Sequence, residues 1–206
     1  MKILALDTCL PACSAAVLEG DRVLARKFEP MVKGHQERLA TMVREVMDEA
    51  GIAFADLDRI GVTVGPGSFT GLRVGVAFAK GLSAALGIPC LGVGTLQALA
   101  GERGGLVVAA VDARRGQVYV QAFEDGRPLM HPEALRAEDA VAAIHRFGPP
   151  KALVGSGAPL LAGAFPHAHL APEALPDPVS VARLAALSTM AARPLYLRAP
   201  DAVLPA

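Results

Sequence analysis

Apolar and polar positions along this chain switch between a period of two and a period near 3.6. Residues 2–6 form an apolar run closed by Asp7 and Thr8, and residues 13–19 and 22–28 flank Gly20-Asp21, a hairpin signal. Three strands are therefore expected first. Residues 30–34 break the pattern. His35–Ala50 then carries Leu39, Met42, Val43, Val46, Met47 and Ala50 at helical spacing, with Glu37, Arg38, Arg44, Glu45, Asp48 and Glu49 on the other face. Residues 60–64 read as a buried strand. They lead into Gly65-Pro66-Gly67-Ser68-Phe69-Thr70-Gly71-Leu72-Arg73, a tight turn in which Ser68 or Thr70 caps a helix running to about Leu86. A short strand at 89–93 and a helix from Thr95 follow.

The helix after the glycine turn is unusual. Between Leu72 and Leu86 its polar side chains are Arg73, Lys80 and Ser83, a polar stripe too narrow for an ordinary surface helix. Such a helix needs cover on two sides, one from its own sheet and one from a further helix of this chain or of a partner. Gly71, Gly75, Ala77, Ala79, Gly81, Ala84 and Ala85 let a neighbouring backbone approach closely. Each glycine weakens an isolated helix by roughly 1 kcal/mol relative to alanine, so packing must supply the difference.

A second unit begins at Leu106. Residues 106–111 are again an apolar run ending in an acid, Asp112, and residues 117–123 again form a strand ending in an acidic glycine turn. Asp7 and Asp112, Glu19 and Glu124, and Arg22 and Arg127 are each separated by 105 residues, which suggests internal duplication. A helical stretch at 137–147, a strand at 152–155 and a helix at 179–192 complete a reduced copy, while 164–178 is proline-rich and irregular. This order predicts an α/β protein of the duplicated actin-like or sugar-kinase (ASKHA) class. It has two lobes, 1–103 and 104–206, each a mixed sheet flanked by helices. In that architecture the acids ending the first strand of each lobe, here Asp7 and Asp112, face bound phosphates and a metal ion.

Composition narrows the function. Of 206 residues 52% are hydrophobic, enough for a substantial core, and 20 basic against 20 acidic residues give no net charge. A broad nucleic-acid surface built on charge alone is therefore not expected. Cys9, Cys13 and Cys90 form no C-x-x-C pair, so neither a disulfide framework nor a cysteine zinc site is indicated. No run of about 18 uncharged apolar residues occurs. The chain opens directly on a strand, and a cytoplasmic protein without a signal peptide is expected.

The stretches Lys2-Ile3-Leu4-Ala5-Leu6-Asp7-Thr8, His35-Gln36-Glu37-Arg38-Leu39, residues 65–75 and Tyr196-Leu197-Arg198 resemble the YeaZ-type (TsaB) family of bacteria. The resemblance is close over the first hundred residues and loose beyond. It implies a non-catalytic actin-like subunit of the machinery that places threonylcarbamoyl on the adenosine next to the anticodon of certain tRNAs. It further implies pairing with the larger paralogue TsaD, which carries the metal and the transfer chemistry, and recruitment of the ATPase TsaE. Contact with tRNA is then indirect, through the complex, with ATP and magnesium bound in the assembly alone. The family pairs through the two helices of its first lobe. Here that assigns Leu39, Met42, Val43, Val46 and Met47 of one helix, and Leu72, Arg73, Val76 and Lys80 of the other, to the partner interface. A homodimer through the same helices is expected when the chain is alone.

Candidate chemistry is sparse. None of His35, His131, His145, His167 and His169 has a histidine four residues away, so the H-x-x-x-H metal pair of TsaD is missing and no metal ligands are assigned. Residues 65–71 lack the Gly-Lys-Ser/Thr of a phosphate loop and the spacing of a dinucleotide fingerprint. The competing reading is an independent actin-fold ATPase or small-molecule kinase. It would use Asp7, Thr8 and Asp112 with Gly155 and Gly157 of the Val154-Gly155-Ser156-Gly157-Ala158 segment as its nucleotide site. Arg114, Arg115 and Arg198 are candidate phosphate or RNA contacts.

Overall fold

The two-residue period of the first thirty positions produces a β-meander, β1 (Lys2–Asp7), β2 (Ala12–Glu19) and β3 (Arg22–Pro30), in the computed structural model, which describes residues 1–198. Helix α1 (His35–Ala50), strand β4 (Arg59–Gly65), helix α2 (Phe69–Leu86) and strand β5 (Cys90–Gly94) finish a five-stranded sheet of order β3-β2-β1-β4-β5. β1 pairs antiparallel with β2 and parallel with β4. Helix α3 (Thr95–Ala100) then leads to the second sheet. Its elements are β6 (Leu106–Arg114), β7 (Gln117–Glu124), β8 (Arg127–Pro128), β9 (Glu133–Arg136), α4 (Ala137–His145), β10 (Ala152–Val154), α5 (Pro159–Ala162), β11 (His169–Leu170) and α6 (Pro178–Leu187). That sheet has the order β11-β10-β6-β7-β8, with β9 also on β7. The two sheets thus share one connectivity, as the 105-residue offset predicts.

Alternation along β1 sorts its side chains to two cores. Leu4 and Leu6 join Leu39, Met42, Val43, Val46 and Met47 of α1 and Val76 and Ala79 of α2. Ile3 and Ala5 face the other way and meet Val179, Val181, Ala182 and Ala185 of α6. In the second sheet Val108 and Ala110 pack on Ala140 and Ile144 of α4, while Val107, Ala109 and Val111 pack on Leu96 and Leu99 of α3 and on Leu10. Helices α3 and α6 therefore lie between the sheets.

This placement corrects one expectation. The last helix does not complete the second unit; it returns to the first sheet, so close that a Cβ on Gly61 of β4 would overlap the Ala185 side chain. It also ends at Leu187 rather than near residue 192. Ser188 Oγ donates to the Gly92 carbonyl at 2.7 Å, Gly92 N–H donates to the Met190 carbonyl at 2.8 Å, and Leu91 bridges Ala191, so the chain leaves the helix to line β5. In the region read as irregular, residues 164–178, β11 forms a short parallel pair with β10.

Candidate functional site

The glycine-rich turn after β4 is welded to the turn after β1. Ser68 is the N-cap of α2, its Oγ accepting from Gly71 N–H at 3.3 Å. Ser68 N–H donates to the Cys9 carbonyl at 2.7 Å, and Thr8 Oγ1 donates to the Gly71 carbonyl at 2.7 Å. The Thr8 and Cys9 carbonyls sit where Cβ atoms of Gly71 and Gly67 would be, which is why this turn takes glycine at both positions. The Ser68 and Gly71 amides are thus committed within the chain, to the Cys9 carbonyl and to Ser68 Oγ.

Asp7 is completely buried. Its Oδ1 accepts from Thr63 Oγ1 and from Cys9 N–H at 2.9 Å, while Oδ2 is buried with no hydrogen-bond partner among the described residues. Ser14, its cross-strand neighbour on β2, and Thr95 at the start of α3 also carry buried hydroxyls without partners. Burial raises the Asp7 carboxyl above its ordinary range, against the lowering hydrogen bonds from Thr63 and Cys9. Burial likewise pushes the Cys9 thiol well up, and that of Cys13 to about 12.

Between the lobes lies a cleft of about 680 Å³, lined on one side by Cys9, Leu10, His35 and Ser68 and on the other by Asp112, Arg114, Tyr119 and Ser156. Asp112 is half-buried there: its amide donates to Ser156 Oγ at 3.1 Å, and its Oδ1 accepts from Arg114 N–H at 2.7 Å. Asp7 is not among the lining residues, so the structure does not bring the two acids of the nucleotide reading into one open site. Gly155 and Gly157 are filled as well. A Cβ on Gly155 would overlap the Ala110 carbonyl, and one on Gly157 would lie 2.9 Å from the carbonyl carbon of Val111. These glycines let the loop after β10 press on β6. With Asp7 buried outside the cleft, Asp7 and Asp112 do not together fit the magnesium nucleotide that the fold class implies. Among the described residues, no group of three or more His, Cys, Asp or Glu comes together to hold a metal.

The proposed partner residues divide sharply. Leu39, Met42, Val43, Val46, Met47 and Leu72 are at most 1% exposed and Val76 is 5% exposed, all within the chain's own core. Their assignment to a partner surface is corrected: the apolar stripe of α1 and the inner stripe of α2 cover the first sheet. Arg73 and Lys80 are exposed. They belong to an outward face of α2 made otherwise of Thr70, Ala77, Gly81, Ala84 and Ala85, flanked by half-buried Val74, Phe78 and Leu82. At its N-terminal end, Phe69 packs on Tyr196 with ring centroids 5.0 Å apart. The Arg73 guanidinium lies 3.8 Å from the Phe69 centroid, and its Nε donates to the Tyr196 hydroxyl at 3.2 Å.

The small residues of this face had a signal in their spacing along α2. The Phe69–Tyr196 contact had none, because the two residues are far apart in sequence. Arg38, within the His35-Gln36-Glu37-Arg38-Leu39 motif, is an internal clamp that donates to both carboxylate oxygens of Glu29 and of Glu45. Lys27 adds ion pairs to Glu45 and Glu49 at 3.0 Å each. Arg198 donates from Nη1 to the Ala113 carbonyl at 2.6 Å. No helix among the described residues is long and apolar enough to cross a membrane.

Residues 25–183 match the family model described as "TsaD: tRNA N6-adenosine threonylcarbamoyltransferase". An uncharacterised protein of Mycobacterium tuberculosis is 37% identical over 207 residues, spanning 97% of this chain and 93% of its own length. The tRNA threonylcarbamoyladenosine biosynthesis protein TsaB of Escherichia coli is 36% identical over 143 residues, 66% of this chain and 62% of that protein. Among solved structures, YeaZ from Pseudomonas aeruginosa superposes with a TM-score of 0.75 at 30% identity, covering 95% of this chain and 99% of that one. The activator of 2-hydroxyisocaproyl-CoA dehydratase from Clostridium difficile, solved with bound ADPNP, shares the fold at 12% identity and a TM-score of 0.55, covering 91% and 94%. The architecture is therefore the actin-like, sugar-kinase class.

Proposed function

We infer that this chain, which belongs to the TsaB/YeaZ family, takes part in tRNA threonylcarbamoyladenosine biosynthesis, and we propose that it does so as a non-catalytic subunit paired with a TsaD-type paralogue. The observation that carries this reading is the outward face of α2. A long helix next to α1 exposes Ala77, Gly81, Ala84 and Ala85 with few charges, a surface that a second helix layer fits by close backbone approach.

The inner stripes of α1 and α2 hold the helix pair on the sheet and so present that face as a rigid platform. The role is one of binding and positioning: the glycine turn fixes the start of α2 through Cys9 and Thr8, and the paralogue carries the transfer chemistry. Support for the non-catalytic role comes from Asp7, sealed beneath Cys9, and from the glycine positions filled by the chain's own backbone. The same face pairs two copies of this chain when the paralogue is absent. The ATPase TsaE joins the assembly rather than this chain alone, tRNA is met through the complex, and the work is cytoplasmic.

The test is size-exclusion chromatography with light scattering on the chain alone and mixed with the TsaD-type paralogue of the same genome. The expected result is a self-dimer replaced by a mixed dimer. A chain that stays monomeric and ignores the paralogue overturns the reading.

A further inference from the structure

The segment after α6 touches both lobes within four residues. Leu195 N–H donates to the Val64 carbonyl at 2.7 Å, at the end of β4 in the first sheet. Tyr196 then lies on Phe69 and accepts from Arg73, at the N-terminal end of the outward face of α2, and is 43% exposed. Two residues later Arg198 reaches Ala113 of β6, in the second sheet. Only Leu197 separates Tyr196 from Arg198, so covalent geometry keeps their Cα atoms within about 7 Å of each other. A shift of one moves the other.

Ala113 is followed by Arg114, Arg115 and Gly116, with φ of +67°, +55° and +72°. This tight left-handed turn carries Arg114 into the inter-lobe cleft. The Gly116 carbonyl accepts from Ala137 N–H at 3.1 Å, at the start of α4, so α4 and Arg198 hold the two ends of this turn.

We propose that residues 195–198 couple the pairing surface of α2 to the second lobe: Tyr196 meets the TsaD-type partner, and Arg198 transmits its position to the β6–β7 turn. This inference rests on the pairing reading above. Arg198 is a positioning residue, acting through Tyr196 rather than by touching the partner. Coupling is reciprocal, so the partner must order the turn to the same extent that the tie to the turn strengthens pairing.

The experiment compares wild type with Arg198→Gln, Arg198→Lys and Tyr196→Ala. It measures affinity for the paralogue by surface plasmon resonance, and hydrogen exchange of residues 112–118 with and without the paralogue. The expected result is slowed exchange at 112–118 on pairing in wild type, which Arg198→Gln abolishes while weakening affinity on the order of 5-fold or more. Arg198→Lys, which keeps a cationic donor, restores part of both effects, and Tyr196→Ala weakens affinity and the exchange response together. Normal pairing by Arg198→Gln, or exchange at 112–118 that ignores the paralogue in wild type, overturns this inference and leaves the pairing reading standing. No pairing by wild type removes both.

Discussion

The Ser68 amide donates to the Cys9 carbonyl at 2.7 Å, joining the start of α2 to the turn after β1. That amide is committed to the chain's own backbone, and Asp7, the acid of the first lobe, is buried and does not line the cleft. Addition of magnesium ATP or ADP at millimolar concentration is therefore expected to leave the melting temperature of the isolated chain unchanged. A ligand present at a hundred times its Kd would contribute about 2.7 kcal/mol, a rise of roughly 5–10 °C for a chain of this size. A rise of that order, removed by Asp112→Asn, would restore the kinase reading.

Burial separates two kinds of helix substitution. Val43 is 1% and Val76 5% exposed, so Val43→Asp and Val76→Asp place a charge in the core and should destabilise the monomer by at least about 3 kcal/mol. Ala77→Arg projects from the outward face. It should leave the melting temperature within a few degrees and weaken pairing at least tenfold, measured by light scattering and plasmon resonance. Retained pairing in Ala77→Arg would remove the outward face of α2 from the interface.

Gly81 offers a finer test of the same face. A Cβ there would meet nothing within 4 Å in the monomer, so Gly81→Ala should stabilise the chain by roughly 0.5–1 kcal/mol at concentrations low enough to dissociate any self-dimer. Where a partner backbone lies against that position, the same methyl group opposes pairing. Denaturant melts and affinities should therefore move in opposite directions.

Asp7 predicts a pH dependence. Its folded-state pKa is raised by burial, so the folded chain holds that proton more tightly than the unfolded chain. The carboxyl's contribution is complete below its unfolded pKa and is lost as pH rises through the folded value. Asp7→Asn keeps an acceptor for Thr63 and Cys9 and turns an amide donor toward the position where Oδ2 has no partner. At neutral pH it should be neutral or stabilising, by up to about 2 kcal/mol, and flatten the stability profile from pH 4 upward. A strong loss of stability in Asp7→Asn would contradict this account.

Glu45 works in the opposite sense. Arg38, and then Lys27, hold its carboxylate down at about 2 from an ordinary 4.5. The stabilisation is present above the ordinary value and disappears as pH falls toward 2. Acid titration of Glu45→Gln, followed by circular dichroism, should show a shallower loss of structure across that window than wild type.

Much of this was legible locally. The apolar run ended by Asp7, the Gly20-Asp21 hairpin, the amphipathic stripe of α1 and its repeat at Leu106 each report a backbone period, and a period is a property of neighbouring residues. The first sheet and the three central strands of the second followed from it, whereas β8, β9 and β11 did not. The narrow polar stripe of α2, Arg73, Lys80 and Ser83, was legible in the same way.

Which apolar side chains stay exposed was decided by tertiary structure. Leu39, Met42 and Val76 look the same in sequence whether they face their own sheet or a neighbour; three-dimensional packing consigned them to the core and left Ala77, Gly81 and Ala84 outside. Asp7 ends β1, whereas β6 runs two residues past Asp112, and Asp7 is buried against Thr63 and Cys9 while Asp112 borders the cleft. The return of α6 to the first sheet and the contacts of Tyr196 and Arg198 likewise join segments distant in the chain. Sequence by itself determined the longer strands, the helices α1 and α2 and the offset between the lobes, through local periodicity. The exposure of Ala77, Gly81 and Ala84, the burial of Asp7 and the contacts of Tyr196 and Arg198 arose when packing brought separate segments together, since burial and contact are properties of the assembled layers.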